Sequence, residues 1–257
     1  MVPGWGDKSP NDLRKASREE LLKTGLVKIV ERRLVVSAAK LEDGTFEVVD
    51  DKGDHWKGRK IVLAYGYTDN YGKLIYHCLF CYGYEKRGAE VAGVLATGPL
   101  GSVGLAPVFA ADASRFAKHV KLYTHGNTEL GNGLAKVLAE RNMNNMEIDN
   151  RKLVRISKTE DDKLRLEFDT GADNILAFMG HGPDCPVDRT LPDQLGCEID
   201  PQAACIKVSE NWKATSVDGV FAAGDCCSRY KSALTGMSAG SCAGVGVARH
   251  LAGFSMP

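Results

Sequence analysis

Three consecutive segments decide the fold: EVAGVLATG (residues 90–98), LAPVFAADASRFAKH (105–119) and VKLYTHGN (120–127). The first is an apolar run ending in a glycine-rich turn, which predicts a buried strand. The second predicts a helix and the third a further strand. This order is that of a βαβ unit, in which both strands lie parallel. We therefore expect an α/β protein with a mostly parallel sheet in its central part.

Similar patterns continue on both sides of this unit. The other predicted elements are a capped helix over 10–25, alternating strands over 27–53, a strand within 58–66, a helix over 134–143, a hairpin over 152–169, a strand over 174–184, a strand and turn over 219–228, and a Gly/Ala-rich helix over 235–251. They rest on capping residues, on apolar spacing and on glycine turns.

Charge and hydropathy exclude several classes of protein. The 257 residues include 33 basic and 33 acidic side chains, and no Lys/Arg cluster is present. We therefore expect neither nucleic acid nor an anionic membrane as a partner. No apolar run reaches the length of a membrane span. The first residues, MVPGWGDKSP, lack the layout of a secretory signal, which predicts a cytoplasmic protein.

The most specific chemical signal is HCLFCYGYE, residues 77–85, where Cys78 and Cys81 form a Cys-X-X-Cys pair. Such a pair can close a small disulfide ring, and its neighbours can favour the thiolate that attacks disulfides. The alternative is half of a zinc site. No second Cys-X-X-Cys or His-X3-His follows to complete tetrahedral coordination, so we expect thiol–disulfide chemistry and no metal.

Three motifs carry a resemblance to a known family: CLFCYGYE (78–85), GHGPD (180–184) and GVFAAGDC (219–226). In this order they resemble the thioredoxin reductase family of two-domain flavoproteins, most closely its fungal dithiol oxidases of the gliotoxin type. The resemblance implies two nucleotide-binding-type domains, each of three layers. It places a degenerate FAD-binding-like domain at 1–77 and 181–257, around an NAD(P)-binding-like domain at 78–180 that carries the cysteine pair.

The chain departs from the family pattern at the flavin motif. Family members begin with a strand, a Gly-X-Gly-X-X-Gly turn and a helix, which hold the FAD diphosphate. We expect this first unit to be missing here, and stable FAD binding to be lost with it. The resemblance leaves Asp225, Gly224 and Gly236 as the flavin contacts if FAD binds after all.

The nicotinamide motif also departs from the family pattern. In ATGPLG, residues 96–101, alanine replaces the first glycine of the fingerprint and Pro99 removes a backbone donor. The following YTHGN carries neither the arginines expected for a 2′-phosphate nor an acidic residue for the ribose. We therefore do not expect NADPH to bind.

Without flavin or nicotinamide the protein has no electron acceptor of its own, which favours redox-neutral exchange. Our leading hypothesis is a rearrangement of a small disulfide of the epidithiodiketopiperazine type, for example from an α,α′ to an α,β′ bridge, in fungal secondary metabolism. One alternative is an FAD-dependent dithiol oxidase that forms a transannular disulfide. Another is a non-catalytic protein that binds thiols.

Residue roles follow from this chemistry. By the resemblance Cys81 faces the flavin and Cys78 exchanges with substrate, although without flavin either sulfur can be the nucleophile. His77 is a candidate general base or thiolate partner. Tyr82 and Tyr84 are candidate walls of the sulfur site or proton donors. Each of these three also has an ordinary packing role as its alternative.

A second group of candidates lies further along the chain. Cys226 and Cys227 follow Asp225 in the segment that lines a flavin cleft in relatives, so they are candidates to reach substrate, or else small residues of a tight turn. His181 lies in the crossover motif. The missing first strand would leave an open sheet edge, which together with the resemblance predicts a homodimer.

Overall fold

The computed structural model describes residues 2, 4–5, 8–66 and 74–254, apart from the side chains of Pro10 and Tyr82. The chain divides into two compact units. Unit 1 consists of residues 1–68 and 185–257, and unit 2 of residues 69–184. The central segment proposed from the sequence, 78–180, starts later and ends earlier than unit 2.

The helices, in chain order, are α1 (Pro10–Lys23), α2 (Leu79–Tyr82), α3 (Ala106–Ala113), α4 (Thr128–Glu140), α5 (Thr190–Leu195) and α6 (Ala233–Leu251). The strands are β1 (Val35–Lys40), β2 (Phe46–Asp50), β3 (His55–Gly58), β4 (Ile61–Leu63), β5 (Ile75–Tyr76), β6 (Ala89–Leu95), β7 (Ala117–Tyr123), β8 (Met146–Asp149), β9 (Leu153–Lys158), β10 (Leu164–Phe168), β11 (Asn174–Leu176), β12 (Phe178–His181), β13 (Ile199–Asp200), β14 (Cys205–Ile206) and β15 (Val220–Ala222). Short 3-10 helices cover Tyr84–Lys86, Gly98–Leu100 and Gly224–Cys227.

Unit 2 is built on a five-stranded sheet in the order β5-β12-β6-β7-β8. All of its pairs are parallel. Val94 of β6 lies opposite Leu122 of β7, and both are fully buried. Central parallel strands are covered on both faces and therefore read as continuous apolar runs, as residues 90–95 do apart from exposed Glu90. The predicted α/β fold with a parallel central sheet is confirmed.

A smaller antiparallel sheet, β11-β10-β9, packs within unit 2. Its residues Leu164, Leu166 and Leu176 form one apolar cluster with Tyr123 and Met179 of the larger sheet. The predicted hairpin over 152–169 is confirmed as β9 and β10, which pair in antiparallel register.

Four predicted elements differ from the structure. The helix predicted over 134–143 begins earlier, as α4 over Thr128–Glu140, because Asn127 caps it by accepting from Leu130 N–H. The helix predicted over 105–119 ends at Ala113, because Phe116 N–H bonds to Ala113 O and β7 begins immediately afterwards. The strand predicted over 174–184 is two strands in different sheets, since β11 pairs with β10 and β12 with β6. Residues 27–34 are not a strand, and Leu34 is 66% exposed there.

Unit 1 contains an antiparallel sheet, β1-β2-β3, and two short pairs, β13-β14 and the parallel β15-β4. Buried Asp50 fixes the end of β2, since its carboxylate accepts from Lys52 N–H, Asp54 N–H and Trp56 Nε1–H at 2.9, 3.1 and 3.3 Å. Helix α6 packs on β15 through small residues, among them buried Ala239 and Ala243.

Candidate thiol–disulfide site

The cysteine pair follows β5 at the carboxyl end of a parallel strand, the edge where α/β sheets place their ligands. Cys78 is the N-cap of α2, a helix of four residues, and Cys81 lies within it. The Cys81 N–H donates to Cys78 O at 3.3 Å. The structure joins the two sulfurs in a disulfide across Cα atoms 5.3 Å apart. The sequence spacing therefore gives a closed redox ring at this edge.

The two residues between the cysteines point in opposite directions. Leu79 is 2% exposed and belongs to the main apolar core of unit 2, whereas Phe80 is 73% exposed. Leu79 therefore anchors α2, the helix that carries the cysteine pair, to the sheet. Phe80 places a bare aromatic ring beside the disulfide, although burying it would be favourable by about 1.5–3 kcal/mol.

Gly83 is the second residue that fixes α2 in place. Its N–H donates to Leu79 O at 2.7 Å. A Cβ at this position would lie 2.5 Å from both Leu79 O and Cε2 of Phe116. Only glycine allows the end of α2 to approach the Phe116 ring so closely.

The two cysteine residues differ in access to solvent. Cys81 is an exposed residue and Cys78 is half-buried. A small disulfide or dithiol can therefore approach the ring from solution, most directly at Cys81.

The side chains proposed to flank the pair are placed as follows. His77 is exposed and directly precedes Cys78. Tyr84 is 62% exposed, and the guanidinium of Arg87 lies 4.2 Å from the centre of its ring. Arg87 Nη1 also donates to Tyr84 O at 3.0 Å, which fixes the arginine over the ring. The side chain of Tyr82 lies outside the described part of the structure.

His181 is positioned by the parallel sheet of unit 2. It ends β12 opposite Leu95 of β6, and its Nδ1 lies 3.4 Å from Leu95 O. His181 is half-buried and lies at the carboxyl ends of the neighbouring strands β12 and β6.

The Asp225 segment lies at the carboxyl end of the parallel pair in unit 1. Ala222 of β15 is opposite Leu63 of β4, and the chain then turns at Gly224 with φ +81°, a left-handed conformation that favours glycine. A Cβ at Gly66 would lie 3.7 Å from Asp225 Oδ2, and one at Gly236 would lie 3.8 Å from Gly224 Cα. The structure thus brings Gly224, Asp225 and Gly236 together.

Comparisons with known proteins fit this geometry. Residues 101–240 match the family model described as pyridine nucleotide-disulphide oxidoreductase. The thioredoxin reductase aclD of Aspergillus oryzae is 35% identical over 98% of this chain and 83% of its own length. The chain belongs to the thioredoxin reductase-like proteins of this family. The resemblance proposed from the three motifs is confirmed, and the chain falls in an oxidoreductase class.

Two further comparisons support the family and the fold. The thioredoxin reductase tcpT of Claviceps purpurea is 34% identical over 95% of this chain and 78% of its own length. The crystal structure of a putative thioredoxin reductase, TrxB, from Bacillus anthracis superposes with a TM-score of 0.81 at 19% identity, covering 96% of this chain and 82% of that one. The last comparison shows the fold alone.

Thioredoxin reductase-like proteins imply a pyridine nucleotide, but the glycine turn of unit 2 does not fit one. The N–H groups of Leu100 and Gly101 bond to Thr97 O and Gly98 O within the turn, and Pro99 has none to offer. A Cβ at Gly98 would lie 3.3 Å from Asp184 Oδ2, so a carboxylate faces the turn. A diphosphate would meet a like charge there, and the N–H groups of Leu100 and Gly101 are already engaged within the turn.

A hydrogen-bond network within unit 2 links the last residues of β7 and β8 to Asn174, the first residue of β11. Asp149 holds Arg151 through two hydrogen bonds, from Nε at 2.9 Å and from Nη2 at 2.6 Å. Asn174 Nδ2 bridges Asp149 and the hydroxyl of buried Tyr123 at 3.2 and 3.0 Å. Sequence analysis missed this network, because its members are distant in the chain.

The family also implies a flavin. Asp225, Gly224 and Gly236 offer a carboxylate and close-packed small residues at the carboxyl end of β15, which fits one end of such a group. None of the strand–helix connections described in unit 1 carries a Gly-X-Gly-X-X-Gly turn for the diphosphate. The described residues thus fit a flavin only in part, and we derive no step through it.

Neither a metal site nor a membrane-spanning helix occurs within the described ranges. No group of three or more His, Cys, Asp or Glu side chains there is arranged to hold a metal ion. None of the helices in these ranges combines the length and the apolar composition that a membrane span requires.

Proposed function

We propose that this protein catalyses thiol–disulfide exchange on a small-molecule disulfide through Cys78 and Cys81. The observation that carries the proposal is the disulfide ring on a four-residue helix, with Cys81 exposed and Leu79 buried. A ring that is open to solution on one side and fixed to a rigid sheet on the other suits repeated exchange with a small partner.

The exchange needs no external electron acceptor. A thiolate of the reduced pair attacks the substrate disulfide and releases one substrate sulfur as a thiolate. The second cysteine then attacks the mixed disulfide, which closes Cys78–Cys81 and leaves the substrate as a dithiol. The reverse steps return the two electrons to the enzyme and close a substrate disulfide again, so the cycle is redox-neutral.

In the finer form of the proposal the substrate is an epidithiodiketopiperazine-like disulfide, and its bridge moves from an α,α′ to an α,β′ position while it is open. Loss of hydrosulfide from an α carbon together with a β proton leaves a double bond. Addition of hydrosulfide to the β carbon and of a proton to the α carbon restores the composition. The closed Cys78–Cys81 ring is the enzyme state that accompanies the open substrate.

Residue roles within this proposal follow exposure. An incoming substrate thiolate attacks Sγ of Cys81, which is the more exposed residue. Cys78 is then released as the leaving thiolate. His77, which is exposed and directly precedes Cys78, is the proposed base that takes the thiol proton. Tyr84, held under Arg87, forms an aromatic wall beside the helix.

A second candidate function is an FAD-dependent dithiol oxidase. Asp225 and the close approach of Gly236 to Gly224 favour it, because they match one end of a flavin site. In that case Asp225, Gly224 and Gly236 would hold one end of a flavin, which would supply the oxidant for the substrate dithiol.

One experiment separates these functions. The purified protein is incubated with excess FAD, desalted, examined for flavin absorption, and assayed anaerobically with an epidithio substrate. We expect no flavin and an isomeric product of unchanged mass. A flavin band that survives desalting would replace this proposal with the oxidase. Substrate binding without flavin or turnover would leave a thiol-binding protein.

Matched variants locate the chemistry. Replacing Cys78, Cys81 or both by serine should abolish turnover, because each exchange cycle needs both sulfurs. Cys242 is a half-buried free cysteine and provides the control. Cys242→Ser should retain the activity of the unmodified chain, and equal loss in all four variants would contradict the assignment.

A further inference from the structure

The surface beside the Cys78–Cys81 disulfide carries two bare aromatic rings. Phe80 is 73% exposed and Tyr84 is 62% exposed. A single exposed apolar side chain is ordinary on a protein surface, but neighbouring exposed rings keep apolar area in water whose burial would be favourable. Such a surface marks a place where a ligand or partner binds.

The helical backbone brings both rings next to Cys81. Helix α2 ends at Tyr82, Gly83 continues in helical conformation with φ −73° and ψ −32°, and Tyr84 begins the next 3-10 helix. Residues three and four apart are neighbours on a helix surface, with Cβ atoms about 5–6 Å apart. Tyr84 is therefore the neighbour of Phe80 at a spacing of four and of Cys81 at a spacing of three.

The ring of Tyr84 is fixed before any ligand arrives. The guanidinium of Arg87 lies over it, 4.2 Å from the ring centre. The same arginine donates to Tyr84 O from Nη1 at 3.0 Å and from its backbone N–H at 3.3 Å. One face of the ring is thus covered, and only the other face can receive a ligand. A ring already held in place loses little conformational freedom on binding.

The size of this surface fits a small molecule. An aromatic side chain buries about 150–250 Å² at most, so Phe80 and Tyr84 together offer no more than about 500 Å². A specific protein partner needs about 800 Å² on each side. One planar ring of a small ligand can cover both side chains.

Charge does not select the ligand here. Glu85 and Arg87 are both exposed beside the rings, and their charges are opposite. Neighbouring charges of opposite sign give no field that favours anions or cations. Recognition is left to the apolar faces of the two rings.

We propose that Phe80 and Tyr84 form an aromatic platform that selects ring-bearing small disulfides and dithiols for exchange at Cys81. This inference rests on the function proposed for the Cys78–Cys81 pair and names the part of the substrate that is recognised. An aromatic or other flat apolar ring packs on the platform and holds the substrate sulfur beside Cys81. Hydrophilic acyclic thiols exchange at the same sulfur without this contact.

Opening of the closed ring by a simple thiol isolates the recognition step. A thiolate attacks Sγ of Cys81, which forms a mixed disulfide and releases Cys78 as a thiolate. A second thiolate attacks the sulfur of the first in the mixed disulfide and releases Cys81. Two small thiols are oxidised to one disulfide, the protein disulfide is reduced to two thiols, and their two protons pass to the cysteines.

The test compares two thiols that differ in their rings. The full chain with the Cys78–Cys81 ring closed is mixed with excess 2-phenylethanethiol or excess 2-mercaptoethanol. Both carry sulfur on an unbranched two-carbon chain, so the chemistry at sulfur is matched. Samples are quenched in acid and alkylated, and the tryptic peptide 74–86, which holds both cysteines and no others, reports the rate of opening by mass.

Phe80→Ala should slow opening by 2-phenylethanethiol about threefold to tenfold, the range that one aromatic contact supplies. Opening by 2-mercaptoethanol should keep its rate. Tyr84→Ala should show the same selective loss. Phe80→Trp and Tyr84→Phe keep a ring at each position and should retain the rate with both thiols.

Phe254→Ala is the matched control, because it removes another exposed ring, 64% exposed, in unit 1. It should change neither rate, and urea unfolding of each variant checks folding. Unchanged rates in Phe80→Ala and Tyr84→Ala would overturn the platform, and so would equal losses with both thiols. If neither thiol opened the ring of the unmodified chain, the proposed exchange function itself would fall, and the platform with it.

Discussion

Single residues decide how the redox ring is held. Leu79 and Gly83 fix a helix of only four residues to the core of unit 2, one by burial and the other by lacking a side chain. A helix this short has no stability of its own. The position of the disulfide therefore depends on these two contacts.

Gly83→Ala should destabilise the protein by about 1–3 kcal/mol, because its Cβ would lie 2.5 Å from Leu79 O and from the Phe116 ring. Urea unfolding measures the change. Gly104→Ala is the matched control in the same unit, since a Cβ there meets only Ser102 Oγ at 4.0 Å. A control as destabilised as Gly83→Ala would show that close packing is not the cause.

Asp149 predicts a pH dependence at the residue scale. Burial disfavours its charge, but the hydrogen bonds from Arg151 outweigh that effect and lower its pKa. The unfolded chain, with a pKa near 3.9, then binds more protons in acid. The stabilisation is present above about pH 4 and is lost as pH falls through the lowered folded-state value.

The measurement compares urea unfolding of the unmodified chain and Asp149→Asn at pH 7 and at pH 3. The unmodified chain should be more stable than the variant at pH 7, and the difference should shrink at pH 3. A difference that stays constant with pH would exclude the Asp149–Arg151 pair as its source.

Elements are fixed by where small residues occur along them. Helix α6 is rich in glycine, yet its glycines are not equivalent. A Cβ at Gly246 would lie 2.7 Å from Trp212 O and 3.0 Å from Phe221 Cε1, whereas one at Gly244 would meet nothing within 4 Å. One face of the helix therefore needs glycine for close packing, and the other carries it at a cost in helix stability.

Gly246→Ala and Gly244→Ala should change stability in opposite directions. The first should destabilise by about 1–3 kcal/mol through overpacking. The second should stabilise by about 0.5–1 kcal/mol, because alanine is the better residue in an exposed helix interior. Thermal unfolding of both variants checks the sign, and two changes of the same sign would contradict the packing of α6.

Local sequence patterns predicted which helices and strands form. They predicted less well where each element ends and which strand it pairs with. The apolar run at 90–95 gave a correct parallel strand, because burial on both faces leaves a mark in the sequence itself. The break between β11 and β12 at Ala177 has no such signal in the sequence. The N–H of Ala177 bonds to Val91 O, and the two flanking strands join different sheets. That choice depends on residues far away in the chain.

At the scale of the whole molecule, the family relationship followed from three short motifs. The contacts that shape the sites did not. Both residues between Cys78 and Cys81 are apolar, so the sequence alone cannot tell which is buried. The packing of β14 on the turn at Gly224–Cys227 likewise joins residues that are about twenty positions apart in the chain.

The homodimer stays a prediction. The open edge of strand β4 is the surface at which it can be tested. Among the described residues β4 pairs only with β15, and Val62 of β4 is 44% exposed. An open strand edge favours pairing with a second copy. Light scattering should give twice the mass of one chain.

Val62→Lys should shift that mass toward a single chain, because a lysine on an edge strand opposes pairing. Val154→Lys, on an exposed strand of unit 2, is the control and should leave the mass unchanged. A single-chain mass for the unmodified protein would rule out the dimer.

The opposite orientations of Leu79 and Phe80 have a consequence for engineering. Position 79 is constrained by the core, so most replacements there would lower expression of folded protein. Position 80 carries its ring in water, and replacing it leaves the core intact. A library randomised at position 80 alone can therefore be screened for altered substrate preference, with every member starting from the stability of the parent.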